Sequence, residues 1–234
     1  MPRAADGKPD FSGIWQALTT AAWDLQDHGA GLAGYLGVPP GKGVVEGNEI
    51  PYKPDALEQK KKNFAQRDTE DPAFAKCLLP GVPRATYMPY PFEIIQNPKM
   101  VGVRYAFARA VRTIDLTGRS RDWLEGWPDF WMGDSRGRWE GDTLVVDVRK
   151  LDERTWFDHA GNFHSDALHL IERYTMTGPD HINYEVTVED PKVFTRPWKM
   201  SMLLYRRKEP NVRLLDYLPA LLMDEEQAAR GKVK

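Results

Sequence analysis

The feature that most constrains this chain is a change of period. From about residue 92 onward, apolar residues recur at every second position in segments of strand length: FEIIQ, MVGVRYAFA, AVRTIDL, DTLVVDV, ALHLIERYTM, HINYEVTVED, WKMSMLLYRR and VRLLDYL. Turn signals such as TGRS, EGD, TGPD, EDPKVF and KEPN separate most of them. In HINYEVTVE, Ile182, Tyr184, Val186 and Val188 alternate with Asn183, Glu185 and Thr187, as in a strand with one buried and one wet face. Successive strands of this kind form an antiparallel meander, and a curved meander loses its exposed edges by closing. The expected fold is mainly β: a lipocalin-like barrel or half-barrel whose interior can hold one small ligand.

The N-terminal third lacks that rhythm. PDFSGIWQ reads as a short first strand, with Ile14 and Gln16 on the face opposite Trp15. TTAAWDLQDHGAGLAGYL begins a short helix capped by Thr19 or Thr20, until Gly29, Gly31 and Gly34 end it. GVPPGKGVVEGNEIPYKP carries too much Gly and Pro for regular structure. DALEQKKKNFAQR, entered through Pro54, reads as a peripheral helix with Leu57, Lys61 and Phe64 on one face. With 234 residues, one domain is expected: wrapping loops and a helix over 1–91, the meander over 92–217 and a C-terminal tail over 218–234.

Charge narrows the partners. Lys and Arg total 32 against 34 Asp and Glu, so no single-sign field exists to hold nucleic acid or an anionic membrane. No run approaches the length of a membrane span, and MPRAADGKPD has neither a hydrophobic h-region nor a cleavage pattern. Cys77 is the only cysteine, which excludes an intrachain disulfide and a thiolate zinc cluster. Neither GxxxxGK[ST] nor GxGxxG occurs, so no nucleotide cofactor is expected, nor any other.

The densest polar stretch is TWFDHAGNFHSDALHLIERY, residues 155–174, with three of the five histidines. Gly161 and Asn162 mark a turn leading into the strand ALHLIERYTM. In an extended backbone His164 and Asp166 share a face, where a carboxylate can orient the imidazole for general acid or base work. Asp158 offers a second carboxylate, and Trp156 and Phe157 give apolar surroundings that move pKa values. The bland reading is a polar turn feeding a strand. A metal held by His159, His164 and His169, with Asp158 or Asp166, needs a sharp fold, because period two puts His169 on the face opposite His164. No bound metal is expected.

Two other stretches invite a ligand. Arg84, in the Pro-rich CLLPGVPRATYMPYPFEIIQ, is flanked by Tyr87 and Tyr90, a setting suited to anchoring a carboxylate or phenolate. DWLEGWPDFWMGDSRGRWEGDTLVV contains Trp123, Trp127, Trp131 and Trp139; the part before Gly133 reads as a flap over a pocket or a subunit interface. GDSRG fits G-x-S-x-G around Ser135, but a strand follows it where a nucleophile elbow needs a helix.

ADGKPDFSGIW, CLLPGVPRATYMPYPF, GRWEGDTLVVDV, TWFDHAGNFHSDALHLIERYT and NYEVTVEDPKVFTRPWK together resemble a family of mostly uncharacterised bacterial proteins, over almost the whole chain to about residue 207. Its members are usually exported, which implies a periplasmic or secreted protein; taken as a full gene product, the chain is expected to be cytoplasmic. The resemblance emphasises Arg84, Trp156, Asp158, His164, Ser165 and Asp166. Similar sequences often carry a second cysteine where this chain has LLDYLPALLM, so the resemblance supplies no disulfide for Cys77 here.

The expectation is thus a cofactor-independent lyase, isomerase or hydratase acting on a small, partly aromatic or polycyclic molecule. His164 moves the proton, Asp166 or Asp158 orients it, Arg84 holds the negative group, and Tyr87, Tyr90, Trp127, Trp131 and Trp156 line the site. The alternative is a periplasmic binding or carrier protein with the same cavity and no chemistry. A homo-oligomer joined through the Trp-rich flap is a further expectation.

Overall fold

The computed structural model describes residues 1–33 and 36–218. Strands β1 (Gly13–Ala17), β2 (Gly31–Ala33) and β3 (Leu36–Val38) come first, followed by helices α1 (Pro54–Ala65), α2 (Arg67–Glu70) and α3 (Arg84–Tyr87). Eight strands then follow: β4 (Phe92–Asn97), β5 (Met100–Tyr105), β6 (Val111–Asp115), β7 (Asp134–Glu140), β8 (Thr143–Arg149), β9 (His169–Gly178), β10 (His181–Glu189) and β11 (Trp198–Arg206). Nine strands close into one mixed barrel in the order β1-β11-β10-β9-β8-β7-β6-β5-β4, while β2 and β3 pair separately. Among the described residues, no helix is long and apolar enough to cross a membrane.

Alternation decides what faces inward. Leu170, Glu172, Tyr174 and Met176 of β9, Ile182, Tyr184, Val186 and Val188 of β10, and Trp198, Met200, Met202 and Leu204 of β11 are all buried. Trp15 of β1 is fully buried and donates its Nε1–H to the Phe11 carbonyl at 2.8 Å, so its polar edge is satisfied inside the core. Burying one such ring stabilises the fold by about 1.5–3 kcal/mol.

The meander is not wholly antiparallel, which corrects the lipocalin-like expectation. β6 and β7 run parallel and meet only at Ile114–Ser135 and Asp115–Arg136. An odd ring of strands cannot alternate direction all the way round, so a nine-stranded barrel requires at least one parallel pair. Residues 116–133 make the crossover that parallel neighbours need. Gly137 admits the seam's packing, because a Cβ there would lie 2.5 Å from Leu116 and 2.8 Å from Ile114. DSRGRWE escaped recognition as strand β7 because its inward positions are Ser135, Gly137 and Trp139, with only one apolar side chain.

Other local expectations also change. VRLLDYL is a strap and not a strand: Tyr217 donates its N–H to Ala106 and accepts from Ala108, at 2.8 and 2.7 Å. The helix expected from Thr19 is a single turn, since the Leu25 N–H goes to Asp158 and the Gln26 N–H to the Asp24 side chain, both at 2.9 Å. The Gly/Pro-rich segment is mostly irregular, as its composition indicates: it supplies the end of β3 and one short turn at Glu46–Asn48, and Val45 bridges Met200 of β11. Residues 1–91 do more than wrap, because β1 fills the gap between β4 and β11. The peripheral helix is α1, but it buries Ala56 and Asn63 and leaves Leu57 and Phe64 exposed. Residues 219–234 of the expected tail lie outside the described residues.

Candidate functional site

The 155–166 stretch forms a tight turn packed among α1, α3 and the N-terminal segment. Gly161, at φ 82°, closes the turn, and Trp156 bridges Phe163 across it. The Phe157 N–H donates to the Asn162 carbonyl at 2.7 Å, and the Tyr87 hydroxyl donates to the Phe157 carbonyl at 2.8 Å. Asn63 of α1 reaches the Gly161 carbonyl at 3.2 Å, and the Tyr52 hydroxyl donates to Asn162 Oδ1 at 2.9 Å.

Asp158 lies at the centre of this turn, fully buried. Its carboxyl accepts the Leu25 N–H at 2.9 Å, the Asn162 N–H at 3.0 Å and Asn162 Nδ2 at 2.6 Å. Burial, followed by the charge of Asp24, pushes its pKa up to about 7 despite those hydrogen bonds. Asp158 therefore ties the N-terminal segment to the turn.

Arg84 is buried in α3 and grips Asp71 in a bidentate pair, with Nη1 and Nη2 at 2.9 and 2.7 Å from the two carboxylate oxygens. His159 places Nδ1 2.8 Å from Asp71 Oδ2 and Nε2 3.2 Å from Asp68 Oδ1. Burial alone would raise the Asp71 carboxyl, but Arg84 and His159 together hold it well below the usual carboxylate range. Arg84 is thus paired within the protein, in place of the open anion anchor its aromatic setting implied.

His164 and Asp166 do not come together. The His164 ring donates Nδ1–H to the Ser165 carbonyl at 2.9 Å and places Nε2 2.7 Å from the Thr155 hydroxyl. Burial lowers its pKa, against opposing contributions from the Ser165 carbonyl and from Asp190 and Asp152. Asp166 is exposed and pairs with Lys192 at 2.6 Å. The two residues part because Asp190 captures both the N–H and the hydroxyl of Ser165, at 2.7 and 2.9 Å, and bends the backbone between them. His169 stands apart on β9, 2.6 Å from Asp147 and 3.0 Å from Glu189. Among the described residues, no group of three His, Cys, Asp or Glu is arranged to hold a metal ion.

The aromatic candidates are dispersed. Tyr90 packs on Phe107 and Tyr217, with ring centroids 5.5 and 4.5 Å away. Trp131 lies beneath the Arg154 guanidinium at 4.4 Å, and Trp156 is half-buried. Trp123 and Trp127 meet edge to face at 6.3 Å on the crossover and remain 58% and 54% exposed, so as positioned they present their rings to solvent.

Inside the barrel lies a polar cluster that the sequence reading missed. Arg112 of β6 pairs with Glu172 of β9 and donates Nε–H to the Ser135 hydroxyl at 2.9 Å. The Tyr184 and Tyr174 hydroxyls donate to Glu172 Oε1 at 2.5 and 3.3 Å. Burial, with the Glu172 charge, pushes both tyrosines well above their ordinary pKa. These buried side chains lie in the interior, where a ligand was expected. Ser135 belongs to this cluster, inside a strand and away from any nucleophile elbow. A signal was available: Glu172 and Arg112 fall on the apolar faces of ALHLIERYTM and AVRTIDL.

A groove of about 520 Å³ opens on the outer wall, lined by Val44, Glu46, Glu185, Thr187, Lys199 and Ser201 among others. Residues 43–46 form one side, held to β11 by the Ser201 N–H donating to the Val44 carbonyl at 2.9 Å. The volume lies within the range of about 300–1,000 Å³ for small-molecule sites. No protein-family model matches the sequence, and no curated protein matches it.

Proposed function

We propose that this chain is a small-molecule binding or carrier protein, with its ligand held in the outer groove of β10 and β11. The observation that carries this reading is a contrast in how polar groups are used. Asp158, His164, Asp166 and Arg84 are each engaged by protein partners in hydrogen bonds or ion pairs. In the groove, the carboxylates of Glu46 and Glu185, the Lys199 ammonium and the hydroxyls of Thr187 and Ser201 have no protein partner among the described residues. Groups left unengaged around a ligand-sized space are free to recognise a ligand; groups consumed by the fold mainly support it.

A thermal-shift screen of small polar molecules tests this reading. A true ligand at a hundred times its Kd stabilises the native state by about 2.7 kcal/mol. Binding should survive His164→Ala, weaken in Lys199→Ala, and release the ligand chemically unchanged. Turnover of a bound molecule that His164→Ala abolishes would refute the carrier reading in favour of proton-transfer catalysis.

A further inference from the structure

The charge pattern of the groove narrows its occupant, an inference that rests on the groove being the binding site. β10 and β11 pair with Glu185 opposite Ser201 and Thr187 opposite Lys199. These four residues face outward, since Val186 and Met200 between them are buried. Glu185 and Lys199 are therefore diagonal neighbours, with backbones about 7–8 Å apart. No ion pair joins them.

Each end of the diagonal has a hydroxyl beside its charge. Glu185 with Ser201 forms an acceptor-rich end suited to an ammonium, and Lys199 with Thr187 forms a donor-rich end suited to a carboxylate. Charge-assisted hydrogen bonds of about 2.8 Å at each end leave room for a short ligand body between them. An ammonium and a carboxylate on one carbon fit that space.

Glu46 adds a third charge. It opens the turn Glu46–Asn48 at the end of the wall formed by residues 43–46. The lining then holds two carboxylates and one ammonium, which a ligand with two cationic groups and one anionic group neutralises. Val44, half-buried on the same wall, lies beside Ser201, whose N–H its carbonyl accepts, and offers an aliphatic chain an apolar surface.

We propose that the groove binds a basic α-amino acid of the lysine, ornithine or arginine kind. Its α-ammonium meets Glu185 and Ser201, its α-carboxylate meets Lys199 and Thr187, and its side-chain cation meets Glu46.

Titration calorimetry on the full chain with lysine, arginine, norleucine, cadaverine and glutarate tests the assignment. Lysine or arginine should bind more tightly than norleucine. Lys199→Ala should weaken their binding about tenfold, the loss of one charge-assisted contact, and leave cadaverine unchanged. Glu46→Gln should reduce lysine to the affinity of norleucine. These outer-surface variants should keep the wild-type melting temperature, which separates a lost contact from a lost fold. Glutarate binding more tightly than lysine, with loss in Lys199→Ala, would overturn the ligand class and retain the groove as a binding site. Absence of binding by all five compounds, with hits elsewhere in the screen unaffected by Lys199→Ala, would overturn both.

Discussion

Replacing Arg84 with methionine removes the guanidinium and keeps much of the side chain's volume. The side chains of Arg84 and Asp71 are 1% and 0% exposed, so the change leaves a carboxylate in the interior without its bidentate partner. Asp71 would retain His159 at 2.8 Å and the N–H groups of Ala73 and Phe74 at 2.9 and 3.1 Å. Removing one partner of a buried pair costs about 3–5 kcal/mol, a large share of a total stability of about 5–15 kcal/mol. For chains of this size, each kcal/mol moves Tm by about 2–4 °C, so Arg84→Met should lower it by about 6–20 °C. Adding Asp71→Asn removes the orphaned charge and should recover at least half of the loss. The Asp71 pKa is depressed in the folded state, so its contribution is full above the unfolded value of about 3.9 and is lost as pH falls. The deficit of Arg84→Met should therefore shrink in acid. Urea and thermal unfolding of the two single variants and the double variant, at neutral pH and at about pH 3, complete the measurement. A loss below about 1 kcal/mol in Arg84→Met, or a double variant as unstable as the two losses summed, would refute the reasoning.

Asp158 carries the opposite sign. Its folded pKa of about 7 lies above the unfolded value, so it contributes stability in acid that is lost as pH rises toward 7. Wild-type urea midpoints should show that fall, and Asp158→Asn should remove this component; an unchanged pH profile in the variant would show that Asp158 does not carry it. Gly161→Ala should destabilise by about 1–3 kcal/mol, because φ is 82° and the new Cβ would lie 2.7 Å from Asn63 and from the Phe64 nitrogen. Chemical denaturation measures it, and a neutral result would mean that the turn and α1 can move apart.

The barrel was legible wherever one face of a strand is wet, as in β9 to β11, because alternation there records burial directly. It was illegible at β7, where Ser135 and Gly137 take inward positions and apolar periodicity fades. The candidate site divides in the same way. The density of polar groups around Asp158 and His164 was visible, but their partners were not. Asp71, just past the end of α2, and Arg84, at the start of α3, meet across two short helices with no periodic relation. Neighbouring Asp158 and His159 turn to different partner sets, Leu25 and Asn162 for one and Asp71 and Asp68 for the other. Separating His164 from Asp166 depended on Asp190, a residue at the far end of β10.

The position of β1 bears on how the barrel closes. Antiparallel to both β4 and β11, β1 holds apart two strands that run parallel to each other. If it withdraws, two unpaired edges face one another, and direct closure would need a second parallel seam. The strand reaches its slot through residues 18–91, which include the irregular loops before β4. β1 is therefore the strand on which antiparallel closure at this point of the ring depends, and the Leu25 N–H bonded to Asp158 ties the chain that follows it to the 155–166 turn.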